Sequence, residues 1–285
     1  MVHSTWGDWL VRSEIEAAEP EGVSLWFLGC NGFVIRSPEA TVYVDPYFGD
    51  GHPPRIVRMI PVPMDPGDAT ECDAVLATHE HIDHMHPPSY GPLVDIGADV
   101  YAPGASFDEL DYDGPLQAPE SKRNRVEPGE SFEVGDLAIH VRGSYDPDSL
   151  EPVSYVFEHE AGTVFHGGDS KPAPEFDAIG REFDIDVGIL AFGTRGNIAD
   201  TENDAVDRVS WYMHGDQIIE AANNLRIDRL LPTHYDMWNG VDSDRKAIFE
   251  HARTHEYPRR IDPIRIGDRI DLGSPGITLP ASLRR

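Results

Sequence analysis

The sequence predicts a mixed α/β fold in which two β-sheets carry helices on their outer faces. Short strand patterns follow one another from residue 23 onwards, and amphipathic helical patterns lie before and between them. Runs of strands separated by helices are typical of two packed sheets that are covered by helices. A chain of 285 residues is also long enough to bury a large core. We expect residues 1–285 to form a single domain.

The first predicted element is an amphipathic helix at residues 4–18, whose apolar side carries Trp9, Leu10 and Ile15. Residues 46–68 are rich in proline and glycine, which predicts a long loop. The other predictions are strands at 23–28, 32–37, 41–45, 73–77, 98–102, 137–142, 153–158, 163–166, 185–191 and 229–233, and helices at about 211–226 and 244–256.

The chain is strongly acidic. Aspartate and glutamate number 51 against 23 lysines and arginines, which gives a formal charge of −28, and only three residues are lysine. Such a charge destabilises a folded chain through self-repulsion unless salt screens it. We therefore expect a cytoplasmic protein from a cell with molar internal salt. A docking surface for a basic partner is disfavoured, because the acidic residues are spread along the whole length.

The composition gives no sign of secretion or of membrane insertion. Cys30 and Cys72 are the only cysteines, too few for a disulfide scaffold, and Cys30 is interpreted as a small buried residue rather than a nucleophile. The N-terminus lacks the pattern of a signal peptide, and no apolar stretch reaches the roughly 20 residues that cross a bilayer. We expect a soluble protein.

The most informative motif is Thr-His-Glu-His-Ile-Asp-His at residues 78–84, directly after the predicted strand at 73–77. It brings four metal-ligand side chains into six positions: His79, His81, Asp83 and His84. Imidazole and carboxylate ligands suit Zn, Mn or Fe. Since one small ion cannot use all four, the motif predicts two adjacent metals, with His79 and His81 on one ion and Asp83 and His84 on the other.

Two later strand ends carry further candidate ligands. The strand at 163–166 ends in a Gly-Gly turn that leads to Asp169, which could bridge two ions with its two oxygens. The strand at 229–233 ends at His234. Both follow a buried strand, as the first motif does.

The motif at 78–84 resembles the signature of the metallo-β-lactamase superfamily. The resemblance implies an αββα sandwich of two mixed sheets, with the metal site at one edge between them. It also implies a third histidine for the first metal, which the matching segment after residue 141 lacks. Asp146 is the candidate replacement and Tyr145 the second choice. A carboxylate in place of an imidazole favours Mn or Fe over Zn.

Three shorter motifs narrow the resemblance. Trp-Phe-Leu-Gly-Cys-Asn-Gly at 26–32, His-Gly-Gly-Asp-Ser at 166–170 and Pro-Thr-His-Tyr-Asp-Met-Trp at 232–238 together resemble the L-ascorbate-6-phosphate lactonase family. Order and approximate spacing agree over nearly the whole chain. The family implies a Mn-dependent enzyme that opens a phosphorylated lactone and assembles into a homo-oligomer.

Several residues are candidates for supporting roles. Asp45 ends a strand and could accept a hydrogen bond from a metal-bound histidine. Arg195, in a turn similar to one of the family, is the best candidate for a phosphate contact, and Lys171 is the next. Tyr145 and Trp238 are candidates for the pocket floor. Four other residues near the motifs are not predicted to be ligands: His52, Glu80, His86 and His166.

The predicted function is metal-dependent hydrolysis of a small molecule, and the favoured substrate is a lactone of the sugar-acid or ascorbate-phosphate type. Two divalent ions, with Mn favoured and Zn or Fe as alternatives, would lower the pKa of a shared water to about 7. Asp83 would orient this nucleophile as well as bind metal. The alternatives are a phosphodiesterase or nuclease on the same metal pair, which the scarcity of basic residues disfavours, and a metal-binding protein without turnover.

Overall fold

A computed structural model describes residues 3–110, 112, 114–193, 195–200 and 205–273. In these residues two seven-stranded mixed sheets pack against each other and helices cover their outer faces, which confirms the predicted αββα sandwich. The strands are β1 Val23–Gly29, β2 Gly32–Arg36, β3 Thr41–Val44, β4 Gly51–His52, β5 Ile56–Val57, β6 Ala74–Leu76, β7 Asp99–Ala102, β8 Arg123–Arg125, β9 Ser131–Val134, β10 Leu137–Gly143, β11 Val153–His159, β12 Gly162–His166, β13 Val187–Ala191, β14 Arg195–Asp200, β15 Ala205–Val209, β16 Arg229–Thr233, β17 Val241–Asp242, β18 Arg260–Ile261 and β19 Arg269–Leu272.

The strand order explains how distant parts of the chain meet. The first sheet runs β19-β1-β2-β3-β6-β7-β8, and the second runs β18-β16-β13-β12-β11-β10-β9. Strands β3, β6 and β7 are parallel in the first sheet, and β12, β13 and β16 are parallel in the second. Parallel strands end at the same edge of a sheet. The loops that follow β3 and β6 can therefore face those that follow β12 and β16.

The apolar side chains form three layers. The central layer lies between the sheets and includes Phe33 and Leu76 from the first sheet with Tyr155 and Ile189 from the second, all fully buried. The other two layers lie on the outer faces, under the helices of each sheet. Strands buried on both faces need continuous apolar runs, which explains the near-uniform hydrophobicity of β1, β3 and β13.

Five α-helices lie in the described part of the chain, and the two that the sequence predicts are shorter than their patterns. They are α1 Pro87–Asp95, α2 Gly104–Asp108, α3 Phe176–Glu182, α4 Gly215–Asn224 and α5 Arg245–Ala252, with short 3-10 turns at Pro66–Asp68 and Glu120–Lys122. Helix α4 corresponds to the prediction at 211–226 and α5 to that at 244–256. None of the helices in the described part of the chain is long and apolar enough to cross a membrane.

The N-terminal helix is corrected by the structure. Instead of spanning residues 4–18 it is a six-residue π-helix, Leu10–Ile15. Leu10 and Ile15 are buried as predicted, but Trp9 is 52% exposed. The π geometry advances the chain by more residues per turn than an α-helix does, so the apolar side differs from the one read at 3.6 residues per turn.

The predicted loop at 46–68 contains a small two-stranded sheet of β4 and β5. A further three-stranded sheet runs β15-β14-β17. Both lie outside the sandwich, and both contain very short or exposed strands that periodicity did not identify. Helices α1, α2 and α3 were also missed. Two prolines at the start of α1 and a third inside it conceal its pattern.

Candidate metal centre

The candidate ligands converge at the edge where the two sheets meet. His79, His81, Asp83 and His84 lie on the loop after β6, Asp146 on the loop after β10, Asp169 after β12 and His234 directly after β16. They form two groups of potential metal ligands, and within each group the donor atoms lie within 4.8 Å of one another. His79 and His81 lie in one group, and Asp83 and His84 lie in the other.

The first group consists of His79, His81 and Asp146. His79 Nε2 lies 2.9 Å from His81 Nδ1, and Asp146 Oδ2 lies 3.8 Å and 3.7 Å from these two atoms. Donor atoms that share one tetrahedral ion at about 2.1 Å lie about 3.4 Å apart, so this spacing suits a single ion. Asp146, the candidate replacement for the histidine that the superfamily resemblance implies, therefore lies beside His79 and His81.

The second group consists of Asp83, His84, Asp169 and His234. His234 Nε2 lies 3.1 Å from Asp83 Oδ2 and 3.5 Å from Asp169 Oδ1. His84 Nε2 lies 3.2 Å from Asp169 Oδ2 and 3.7 Å from Asp83 Oδ2. All four side chains are buried. Two imidazoles and two carboxylates at these distances again suit one divalent ion.

Unpaired donor atoms indicate that a cation belongs at the second group. His84 Nε2 and Asp169 Oδ1 are buried and accept or donate no hydrogen bond, which is costly unless another partner satisfies them. Burial alone would lower the pKa of His84, but the carboxylates of Asp169, Asp45 and Asp83 raise it well above its usual value. The surroundings therefore favour positive charge at this position, and a divalent metal would supply it.

Asp45 fixes the ring orientation of two of these histidines. Its Oδ2 lies 2.7 Å from His84 Nδ1 and accepts a hydrogen bond from Thr78 Oγ1 at 2.8 Å. Because a carboxylate only accepts, His84 Nδ1 carries the proton and Nε2 is left to bind metal. Thr78 Oγ1 also lies 3.0 Å from His79 Nδ1. Since its proton is used on Asp45, this oxygen accepts from His79, whose Nε2 is likewise left for metal.

The same reasoning applies to His81. Its Nε2 lies 3.1 Å from the backbone carbonyl of Asp148, which can only accept. His81 therefore presents Nδ1, the atom that faces His79 and Asp146, to the metal.

The carboxylate of Asp45 stays ionised. Burial alone would raise its pKa, but the charge and the hydrogen bond of His84 outweigh burial and lower this pKa below its usual value.

Several residues at the site have left-handed backbone conformations. Five described non-glycine residues have positive φ, and three of them, Cys30, Asp45 and His234, lie at the metal centre. Such conformations cost of order 1–3 kcal/mol each and cluster at functional sites.

The thiol of Cys30 lies beside the second donor group, with Sγ 3.3 Å from His234 Nε2. Burial, followed by the charges of Asp83 and Asp169, raises the pKa of this thiol well above its usual value, which agrees with its interpretation as a buried thiol and not a nucleophile.

Glu80, which was not predicted to bind metal, holds the loop that carries Asp146. Its Oε1 accepts the backbone N–H of Leu150 at 2.8 Å, and its Oε2 accepts the hydroxyl of Ser149 at 2.9 Å. Glu80 itself is buried. Glu80, which lies between His79 and His81, therefore anchors the loop that carries Asp146. Its alternation with the ligands in His-Glu-His was the available signal for this role.

The other predicted residues are distributed as follows. Trp238 is buried and lines the pocket described below. Tyr145 is 51% exposed; its backbone N–H donates to Ser170 Oγ, and its carbonyl accepts the backbone N–H of Lys171. Lys171 Nζ donates to the carbonyl of Ser210. Arg195 begins β14, but its side chain lies outside the described residues.

The remaining histidines near the motifs have structural partners. His166 Nε2 lies 2.9 Å from the carbonyl of Asn31, and His86 Nδ1 lies 2.6 Å from Ser89 Oγ. His52 is an exposed residue of β4 at the rim of the pocket. None of these belongs to the two ligand groups found among the described residues.

A pocket of about 310 Å³ opens onto both ligand groups. One wall is aromatic and includes Trp211 and Tyr212, which sequence reasoning missed. Tyr212 stacks on His234 with ring centroids 4.1 Å apart, and its Oη accepts a hydrogen bond from Trp238 Nε1 at 2.9 Å. An adjacent Trp-Tyr pair before a helix was the only sequence signal, and it is equally typical of core packing. The lining is His52, Ile56, His81, Ile82, Asp83, Asp146, Asp148, Asp169, Trp211, Tyr212 and Trp238.

Comparison with known proteins agrees with this architecture. The sequence profile of the family described as "Beta-lactamase superfamily domain" matches residues 40–235. The "Probable L-ascorbate-6-phosphate lactonase UlaG" of Escherichia fergusonii is 26% identical, over 85% of this chain and 78% of that protein. This relative confirms the resemblance to the lactonase family that the sequence motifs predict.

Solved structures share the fold. An isothiocyanate hydrolase from Delia radicum gut bacteria superimposes with a TM-score of 0.65 at 15% identity, over 88% of this chain and all of that one (100%). Igni18, a metallo hydrolase from Ignicoccus hospitalis, superimposes with a TM-score of 0.63 at 16% identity, over 87% of this chain and 97% of that one. The family profile covers more than half of the chain and includes all the candidate ligands. We conclude that the chain belongs to the beta-lactamase superfamily and is a metal-dependent hydrolase.

Proposed function

We propose that the chain hydrolyses a lactone, or a closely related carboxylic ester, with two divalent metal ions. One ion would be held by His79, His81 and Asp146. The other would be held by Asp83, His84, Asp169 and His234. The observation that carries the proposal is that both donor groups face one pocket. In addition, the ring protons of His79, His81 and His84 are held by acceptors outside the donor groups, so that the other ring nitrogen of each is left for a metal. Divalent ions, when bound, activate water near neutral pH and polarise a carbonyl oxygen.

The residues of the chain would position the reacting groups. Asp83 lines the pocket as well as belonging to the second donor group, so it can accept a hydrogen bond from the attacking water and orient it. Tyr212 accepts from Trp238 Nε1, and no acceptor for its own hydroxyl proton is found among the described residues. Burial, followed by the charges of Asp169 and Asp83, raises its pKa well above the usual value. The neutral hydroxyl can therefore donate to the departing oxygen of the ester.

Manganese is the metal that we favour. Three of the seven donors are carboxylates, and Asp146 stands where the resemblance implies an imidazole. Each replacement of nitrogen by oxygen makes a site harder and suits Mn better, although Zn and Fe accept the same ligand types. Equilibrium dialysis followed by elemental analysis should give about two ions per chain.

The lactone is supported by the lactonase relative and its coverage of most of the chain. Phosphodiester hydrolysis is the second candidate for a metal pair of this kind. It is disfavoured because none of the described residues lining the pocket is lysine or arginine. A metal-binding protein without turnover is disfavoured because all seven candidate metal ligands are present in the two donor groups.

The test is hydrolysis measured by proton release in molar KCl with added Mn. The panel contains ascorbate-6-phosphate, an aromatic lactone, a neutral sugar lactone and bis(p-nitrophenyl) phosphate. We expect turnover of at least one lactone, lost by about 100-fold or more in His79→Ala and in His234→Ala. His255→Ala, at an exposed histidine remote from the ligand groups, is the matched control and should behave as the parent chain. Turnover of the phosphodiester alone would reject the lactonase proposal, and no turnover by a chain with two bound metals would reject hydrolysis of these ester classes.

A further inference from the structure

The charge of the pocket restricts what can bind in it. A phosphorylated substrate is bound in proteins by arginine, lysine or a helix N-terminus. The described residues that line this pocket include four aspartates, Asp83, Asp146, Asp148 and Asp169, and neither of the two basic residue types. Two divalent ions would be nearly neutralised by the three carboxylate ligands. Asp148, exposed at the rim, offsets the small positive charge that is left.

The nearby cations that the structure describes are engaged elsewhere. Arg58 is buried and donates to three backbone carbonyls, those of Tyr47, Ile60 and Pro61. Arg55 pairs with Asp207 at 2.6 Å. Because its guanidinium already donates to three backbone carbonyls, Arg58 has little hydrogen-bonding capacity left for a ligand.

The aromatic residues that line the pocket are held in position by their neighbours. Trp238 has its indole N–H satisfied by Tyr212 and packs near Tyr47, with ring centroids 6.1 Å apart. Tyr212 is held by stacking on His234. The ring of Trp238 therefore presents carbon surface to the pocket, which Trp211 and Ile56 also line. Aromatic faces of this kind contribute to ligand binding by apolar burial and ring stacking.

From these observations we propose that the pocket takes an uncharged ester or lactone that carries an aromatic or apolar group, and discriminates against phosphorylated lactones. The substrate class rests on the proposed hydrolytic function, whereas the binding preference does not. The apolar group would lie along Trp211 and Trp238, and the carbonyl would face the donor groups on the pocket floor.

Binding of inert probes tests the preference without turnover. The probes are 3,4-dihydro-2-quinolinone, an uncharged aromatic lactam, and phenyl phosphate, an aromatic phosphate monoester. Both are titrated into the metal-loaded protein in molar KCl, with calorimetry as the readout. We expect the lactam to bind at least about tenfold more tightly, which corresponds to about 1.4 kcal/mol, because it gains ring contacts and carries no charge into the acidic pocket.

Variants locate the preference in the pocket. Trp211→Ala should weaken lactam binding by about tenfold, whereas Trp9→Ala, at an exposed tryptophan outside the pocket lining, should not change it. Asp148→Lys reverses a rim charge and should tighten phenyl phosphate binding by about tenfold, with little effect on the lactam. Arg195→Ala should change neither affinity.

Three results would overturn the inference: tighter binding of phenyl phosphate than of the lactam, loss of phenyl phosphate binding in Arg195→Ala, or binding of neither probe. The hydrolysis panel is read separately. Lactam binding without hydrolysis of any lactone would reject the proposed function and leave the pocket preference standing. Hydrolysis of ascorbate-6-phosphate in preference to the aromatic lactone would leave the function standing and reject the preference.

Discussion

Asp45→Asn should weaken metal binding while leaving the fold intact. The carboxylate accepts three hydrogen bonds: from Thr78 N at 2.8 Å, from Thr78 Oγ1 at 2.8 Å and from His84 Nδ1 at 2.7 Å. An asparagine oxygen can keep the first of these. Its amide group would then face Thr78 Oγ1 and His84 Nδ1 with donors where the native residue has acceptors. To avoid two donors in contact, His84 would move its proton to Nε2 and lose its metal-binding lone pair.

The magnitude follows from the number of affected ligands. Loss of a partner behind a metal-binding histidine costs about 10–100-fold in metal affinity, or about 1.4–2.7 kcal/mol. The full loss of metal affinity should occur at the second donor group, which contains His84. The first donor group should lose less than about tenfold in affinity, because Asp45 acts on His79 only through Thr78. The assay is competition of Zn²⁺ or Mn²⁺ between the protein and a chromophoric chelator.

Asp73→Asn is the matched control. Asp73 precedes β6, the strand that leads to the ligand loop, and its Oδ2 accepts the backbone N–H of Thr41 at 2.8 Å. An asparagine oxygen can keep that bond, so metal affinity should equal that of the parent chain. Parent-like affinity in a folded Asp45→Asn variant would refute the argument that this carboxylate sets the histidine tautomers.

Three further predictions concern the loop, a turn and the charge. Glu80→Ala removes the two hydrogen bonds that this carboxylate accepts from the Asp146 loop and should lower metal affinity at the first donor group by about tenfold. Glu71→Ala, at an exposed glutamate, is the control, and equal titration curves for the two variants would contradict this prediction. Gly168→Ala places a Cβ 2.9 Å from Thr78 Cβ at a φ of +56°, so the free energy of unfolding in a denaturant titration should fall by about 1–3 kcal/mol, and an unchanged midpoint would be evidence against strain there. Raising KCl from about 0.1 to about 2 M should increase the free energy of unfolding by at least about 1 kcal/mol through screening of the acidic surface; a flat or falling dependence would reject the expected adaptation to high salt.

The sequence predicted the αββα class correctly, and it erred where local pattern and geometry diverge. Trp9 was predicted to be buried, but the π-helix leaves it exposed. Helix α1 was missed because its prolines conceal a helical pattern that tertiary packing supports. Tyr145 was the second choice beside Asp146; it is 51% exposed, whereas Asp146 is buried beside His79 and His81. A one-residue choice of this kind depends on the direction in which a loop turns.

The sequence by itself determined the chemistry of this protein, because four of the seven candidate ligands lie in six consecutive positions and the others end recognisable strands. Only the tertiary structure decided the distances between those donors, which lie within 4.8 Å of one another in each group. Those distances depend on which strand ends meet across the two sheets and on positive φ angles at Asp45 and His234, which residue types do not specify. The tertiary structure also decided the character of the pocket. The aromatic wall and the acidic rim come from segments far apart in the chain, and their common position follows from the packing of the sheets.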